Sequence, residues 1–252
     1  SQHRGGKGKT AMGTKSDDFV EHLFVASTHA TFLFITNFGK VYQAKVYELP
    51  MAGRSSLGKA IVNLLNFDED MIQLQNRILS LGIWNPDAAW PDVGTKLLLE
   101  TNALWLAPYL RDCKKPEDLK KIKLSEALFH SLDWEKQQAL NKLAPQKIEV
   151  PSGSKININY FFNGATPVLS VRLQEVFGLS DTPRINDGKT ALVLHLLSPG
   201  YKPVQVTSDL KSFWNNLYHE VKKELQRRYP KHAWPDDPWT APAVAKGRSH
   251  KF

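Results

Sequence analysis

The chain has 252 residues, with 33 Lys+Arg against 25 Asp+Glu, a formal charge of +8 and a pI near 9.4. Its 42% hydrophobic and 23% charged content argues against wholesale disorder, and no run reaches the ~18–20 apolar residues of a membrane helix. One cysteine, Cys113, excludes an internal disulfide and a cysteine-rich metal site.

In chain order, residues 19–26, 31–36 and 41–47 read as strands, and Asn37-Phe38-Gly39-Lys40 supplies turn chemistry between the last two. Pro50 ends the third, because proline cannot donate to a sheet ladder; 61–65 is a candidate fourth strand. This part is an antiparallel meander. After Asp68-Glu69-Asp70 the pattern turns helical. Ile72, Leu74, Ile78, Leu79 and Ile83 predict a first helix, and 96–110 a second. Shorter helices follow at 116–121, 125–132 and 133–143, with Pro116, Ser125 and Asp133 at plausible N-terminal positions.

Strands return at 147–150, 155–162, 168–173, 190–197 and 204–206. One helical turn at 174–177 is closed by Gly178, and Asn186-Asp187-Gly188 forms a turn. The clearest helix is 209–228. Ser208 can cap it, Asp209 suits its dipole, and Pro230 stops it. Leu210, Phe213, Trp214, Leu217, Val221 and Leu225 fall within an arc of about 120°. The expected fold class is α+β: an N-terminal antiparallel β-meander, a middle helical region, and a C-terminal antiparallel β region with a long amphipathic helix. The expected domains are 1–70, 71–144 and 145–252.

The positive charge is grouped. Residues 1–70 carry 8 basic and 7 acidic residues, net +1, and 71–252 carry 25 and 18, net +7. Arg4, Lys7, Lys9 and Lys15 stand in a glycine-rich head without acids, and Lys222, Lys223, Arg227, Arg228 and Lys231 cluster toward the end of the long helix. Residues 1–7 hold no apolar core of a signal peptide, and a reducing, cytoplasmic location is expected.

No catalytic, cofactor or metal site is expected. Gly8-Lys9-Thr10 suggests a phosphate loop, but His3 stands where that loop needs its first glycine, and no apolar strand precedes it. His219-Glu220 suggests a zinc-protease pair, but Lys223 occupies the position of the second histidine. Ser152-Gly153-Ser154 lacks the glycine spacing of a nucleophile elbow. His195 reads as a hydrogen-bonded core histidine. Cys113, among Arg111, Lys114 and Lys115, reads as an inert thiol despite a setting that favours thiolate.

Two family resemblances lie in two parts of the chain. Gln2-His3-Arg4-Gly5-Gly6-Lys7-Gly8 is similar to the box that opens the C-terminal domain of the gyrase A family, departing only at His3, where the family has arginine. The stretches 18–29, 36–42 and 58–65 also resemble it, so the likeness covers about 2–68. It implies part of a β-pinwheel that wraps DNA, with Arg4, Gly5, Gly6, Lys7, Gly8, Lys9 and Lys15 as nucleic-acid-binding residues. Glycines let the backbone approach phosphates, and the cations neutralise them. At roughly 40–50 residues per blade, the segment holds little more than one blade.

Residues 150–154, 171–179, 194–199, 203–210 and 228–238 resemble the C-terminal region of the HrpB family of bacterial ATP-dependent helicases. A looser likeness through Trp90-Pro91-Asp92 and 105–110 reaches back to about 72. It implies a region that trails a DEAH/DExH-type core, with ATP and Mg belonging to cores outside this chain. The two families do not ordinarily share a chain, so a chimera or fusion of fragments joined near 67–71 is expected, with a native two-domain protein as the alternative.

The expected function is a non-catalytic, nucleic-acid-binding accessory region of a helicase. Lys222, Lys223, Arg227, Arg228 and Lys231 are candidate phosphate contacts, which position without reading sequence, and Trp84, Trp234 and Trp239 are candidate stacking residues. The solvated-face reading stands beside it, since Glu220 and Glu224 alternate with the lysines. The alternative function is a module that docks on a helicase core without touching nucleic acid. The expected partners are DNA or RNA, a helicase core, and no membrane.

Overall fold

A computed structural model describes residues 20–23, 31–36, 40–45, 59–60, 67–110, 118 and 120–245. The fold is α+β, and it divides into two compact units, one of 1–74 with 92–133 and one of 75–91 with 134–252. The helical stretch expected at 71–144 is therefore shared between them.

In the first unit, β1 (Val20–Leu23), β2 (Thr31–Thr36), β3 (Lys40–Lys45) and β4 (Lys59–Ala60) form an antiparallel sheet in sequence order, as the meander pattern requires. Thr31 pairs with Lys45 and Ile35 with Val41, while a bulge interrupts the β1–β2 register between Val20 and His22. The candidate strand at 61–65 lies outside the described residues, as do Cys113 and half of the helix expected at 116–121. Residues 96–110 form three short helices where the periodicity suggests one: α2 (Thr95–Glu100), α3 (Asn102–Trp105) and α4 (Ala107–Leu110). Thr101 Oγ1 donates to the Leu97 carbonyl at 2.7 Å, a back-bond that competes with the helical ladder where α2 ends. α5 (Leu124–Ser131) buries Leu124, Ala127 and Leu128 and lies against α3. Tyr109 Oη and His130 Nδ1 stand 3.1 Å apart across α4 and α5.

α1 (Glu69–Trp84) begins at Asp68, whose carboxylate accepts from Met71 N at 3.0 Å. Its second half belongs to the other unit. There Ile78 and Leu81 are buried, and the polar side chains are spent on carbonyls. Asn76 Nδ2 donates to Tyr160 O at 2.8 Å, Ser80 Oγ to Phe161 O at 3.2 Å, and Trp84 Nε1 to Gly164 O at 2.9 Å. Arg77 is buried and donates to Ala144 O at 2.7 Å and to Asn141 Oδ1 at 3.2 Å. Burial lowers its guanidinium pKa. Gly164 has φ +67, and a Cβ there would fall 2.9 Å from the Ile83 side chain, so this position favours glycine.

After α6 (Trp134–Leu143), the second unit holds a five-stranded sheet of β5 (Lys147–Glu149), β6 (Lys155–Asn159), β7 (Val168–Arg172), β10 (Val193–Leu197) and β11 (Pro203–Thr207), in the order β11-β10-β7-β6-β5. Three pairings are antiparallel. The fourth, β7 with β10, is parallel, with Leu194 opposite Leu169 and Leu196 opposite Val171. The expected all-antiparallel region is thus a mixed sheet. Parallel strands need a crossover; here it is residues 173–192, comprising a 3₁₀ turn at Leu173–Glu175 and a small hairpin of β8 (Arg184–Ile185) with β9 (Thr190–Ala191). Ile158, Leu169, Val171, Leu194 and Leu196 line the buried face. His195, expected in the core, is half-buried with Val193 and Leu197, because it alternates with the core residues along β10.

The long helix is two helices, α7 (Leu210–Asn216) and α8 (Tyr218–Arg228), broken at Leu217. Asp209, not Ser208, caps α7, its carboxylate accepting from Ser212 N at 2.8 Å. Leu217 is 40% exposed and Val221 half-buried, while Tyr218, outside the expected stripe, is fully buried. Tyr218 meets Phe177 at 6.0 Å and Trp214 at 5.4 Å, both edge-on. Phe213 lies 5.1 Å from Trp214, whose Nε1 donates to Leu179 O at 2.8 Å. Replacing Trp214 by Ala removes the centre of this cluster. It is expected to destabilise the chain by about 3–5 kcal/mol, measured as a lowered urea midpoint.

Candidate nucleic-acid interface

Residues beyond α8 return along it and over the 3₁₀ turn, and this path decides which cations stay free. Pro230 stops the helix, and Tyr229 N donates to Leu225 O at 2.7 Å. Trp234 Nε1 donates to Tyr229 O at 2.9 Å, and Tyr218 Oη to Pro235 O at 2.7 Å. Burial raises the Tyr218 phenol, with the Asp236 charge adding to it, so Tyr218 stays a neutral donor. Gly178 N then donates to Pro238 O at 2.9 Å, Val244 N to Gln174 O at 2.9 Å, and the Arg172 guanidinium to Ala245 O. Gly178 has φ +80, a left-handed conformation that favours glycine.

The sequence groups five basic residues at the end of α8. The structure separates them. Lys222 is ion-paired with Asp236, and its side chain is only 11% exposed. Nothing in the sequence flags this pair, whose members stand 14 residues apart. Arg228 Nη2 stands 3.3 Å from Glu224 Oε1, one helical turn back and open to solvent. Lys223 and Arg227, with Gln226 between them, line a shallow hollow on the exposed side of α8. Arg227 Nε reaches the Lys223 carbonyl at 3.4 Å. Lys231 is exposed just past the helix end. Among the described residues, no carboxylate ion-pairs with Lys223, Arg227 or Lys231. Arg4, Gly5, Gly6, Lys7, Gly8, Lys9 and Lys15 lie outside the described residues.

The three tryptophans are half-buried. Trp84 and Trp234 use their indole N–H groups to hold loops, as the two carbonyl bonds above show, which gives each a structural task. Trp239 N is held by the Asp237 carboxylate at 2.9 Å, and Thr240 Oγ1 donates to the same carboxylate at 2.7 Å; these bonds lower the Asp237 pKa, the hydroxyl bond more. Among the described residues, no three His, Cys, Asp or Glu side chains gather as metal ligands, and no helix is long and apolar enough to cross a membrane.

Residues 105–238 match the family model described as ATP-dependent helicase C-terminal, HrpB_C. The chain belongs to that family. Residues 1–27 and 30–70 match a second model, the DNA gyrase C-terminal domain, β-propeller. The helicase family stretch contains α8 with Lys222, Lys223, Arg227, Arg228 and Lys231. Over 202 residues the chain is 40% identical to the ATP-dependent RNA helicase HrpB of Escherichia coli K12, covering 77% of this chain and 25% of that protein. Over 70 residues it is 54% identical to the gyrase A protein of Halalkalibacterium halodurans, covering 28% of this chain and 8% of that protein. The crystal structure of the E. coli DExH-box NTPase HrpB superposes with a TM-score of 0.69 at 40% identity, over 73% of this chain and 22% of that one. The chain thus spans about a quarter of its helicase relative and a twelfth of its gyrase relative.

The Lys222–Asp236 pair has a testable pH signature. The hydrogen bond from Lys222, and then its charge, hold the Asp236 carboxyl below the ordinary Asp range. With a folded pKa below the unfolded one, the pair's contribution is present above the unfolded value and is lost as pH falls through the folded one. A ¹³C NMR titration of the Asp236 carboxyl is expected to show a midpoint below about 3.9, rising toward it in Lys222→Met.

Proposed function

We propose that the chain is a non-catalytic, nucleic-acid-binding accessory region of a DEAH/DExH-type helicase, joined to a gyrase-A-like DNA-binding segment. The observation that carries this is the exposed trio Lys223, Arg227 and Lys231, grouped at one helix end of a helicase family member. Three exposed cations near one helix end, with no carboxylate partner among the described residues, suit a phosphate backbone, whose condensed counterions they would release. Arg228 joins them at small cost, because a solvent-exposed pair such as Arg228–Glu224 contributes little. Lys222 contributes to the return segment instead. The glycine-rich head, with Arg4, Lys7, Lys9 and Lys15, would add phosphate contacts of its own. On this reading ATP and Mg are handled by a helicase core outside this chain.

A second reading, docking on a helicase core without contact to nucleic acid, is favoured by one feature. Phe162 is 74% exposed, and Phe161 and Ile83 near it are also exposed, an apolar group on the surface of the second unit. Salt separates the two readings, because phosphate contacts weaken steeply with ionic strength and apolar docking does not.

Binding of labelled single- or double-stranded DNA or RNA is expected at 50 mM salt, falling as salt rises. Changing Lys223, Arg227 and Lys231 together to Gln should flatten the slope of log K against log salt by about 2–3. Absence of binding by the unaltered chain to every probe at 50 mM salt would overturn the proposal.

A further inference from the structure

Tyr201 sits in the turn between β10 and β11 with φ +59, a left-handed conformation that is uncommon for a bulky residue. The turn is well tied. Tyr201 N donates to Ser198 O at 2.9 Å, and Lys202 N to Ser198 Oγ at 3.1 Å. Ser198 is fully buried, and its Oγ lies 3.3 Å from Tyr229 Oη. Gly200 packs so closely on Tyr229 that a Cβ would stand 2.8 Å from that hydroxyl. The strain delivers the ring outward: Tyr201 is 66% exposed, although a tyrosine buries large apolar area readily elsewhere.

The ring is not simply loose. The Arg172 guanidinium lies over it, with Cζ 5.1 Å from the ring centroid. Arg172 is itself fixed, because its Nε donates to Glu175 Oε2 at 3.1 Å and its Nη2 to the Ala245 carbonyl. A cation held over one face orients an aromatic ring. The turn that carries Tyr201 meets the end of α8 through Tyr229, the residue after Arg228, whose hydroxyl lies 3.3 Å from Ser198 Oγ. Lys202, next to Tyr201, is exposed as well.

We propose that Tyr201 is a stacking platform for an unpaired base of a single-stranded nucleic acid whose phosphates lie on the Lys223, Arg227 and Lys231 surface. This rests on the nucleic-acid reading above and adds a strand preference to it. Cations alone attract any polyanion. An exposed ring, oriented by Arg172, selects strands whose bases are free to stack. Because every base has a π-face, the platform is indifferent to sequence.

Fluorescence anisotropy with the full chain at about 50 mM salt tests this with three labelled probes: a 20-nucleotide oligo(dT), an abasic strand of the same length and charge, and a 20-base-pair duplex. The unaltered chain is expected to bind oligo(dT) more tightly than the abasic strand. Tyr201→Gly removes the ring and relieves the left-handed strain, so it should fold. It is expected to weaken oligo(dT) binding about tenfold, toward the abasic value, while leaving the abasic strand and the duplex unchanged. Tyr201→Phe should keep the affinity, since stacking needs the ring and not the hydroxyl. If Tyr201→Gly binds oligo(dT) as the unaltered chain does, or loses all three probes equally, the stacking role is overturned and phosphate binding stands. If the unaltered chain binds none of the probes, both fall.

Discussion

The second unit is organised around one constraint: Tyr218 must bury its ring and still find a partner for its hydroxyl. Its ring meets Phe177 and Trp214 edge-on, and Phe213 completes the group. Its hydroxyl donates to the Pro235 carbonyl. An unpaired buried hydroxyl would cost about 1–3 kcal/mol, so the segment after α8 has to return along the helix. Breaking the helix at Leu217 belongs to the same solution. It puts Tyr218 at the start of α8 and leaves Leu217 outside the cluster.

That return sorts the charges. By passing beside α8 it brings Asp236 to Lys222 and takes that lysine out of the exposed set. Lys223 and Arg227 point to the open side, and Lys231 follows at the turn. The same segment supplies the Ala245 carbonyl that helps fix Arg172 against Tyr201. Packing of four aromatic rings thus governs which cations and which ring face the solvent, although none of the four is itself part of that surface.

Most elements were legible because their signals are local. The apolar runs at 31–36 and 193–197, the alternation at 155–159 and the apolar spacing of α1 depend only on neighbours in sequence. The parallel pairing of β7 with β10 was not legible, since alternation looks the same in either direction and the crossover is built mostly of turns. The three short helices of 95–110 read as one because Leu97, Leu98, Leu99, Ala103, Leu104 and Leu106 lie on both sides of the polar Glu100-Thr101-Asn102. The candidate surface was half legible: the cations at the end of α8 stand out as a cluster, but their pairing does not. Tyr201 carried no signal beyond a Pro-Gly turn before it, because its exposure follows from a backbone angle and from an arginine on another strand.

Residue identity alone determined the two family likenesses, the places of the elements and the grouping of the positive charge, all properties of contiguous stretches. Only the tertiary structure decided the strand order, the break at Leu217, the loss of Lys222 to Asp236 and the presentation of Tyr201. Each of these depends on residues far apart in the chain meeting in space, and burial there leaves a polar group no choice but the partner that packing brings to it.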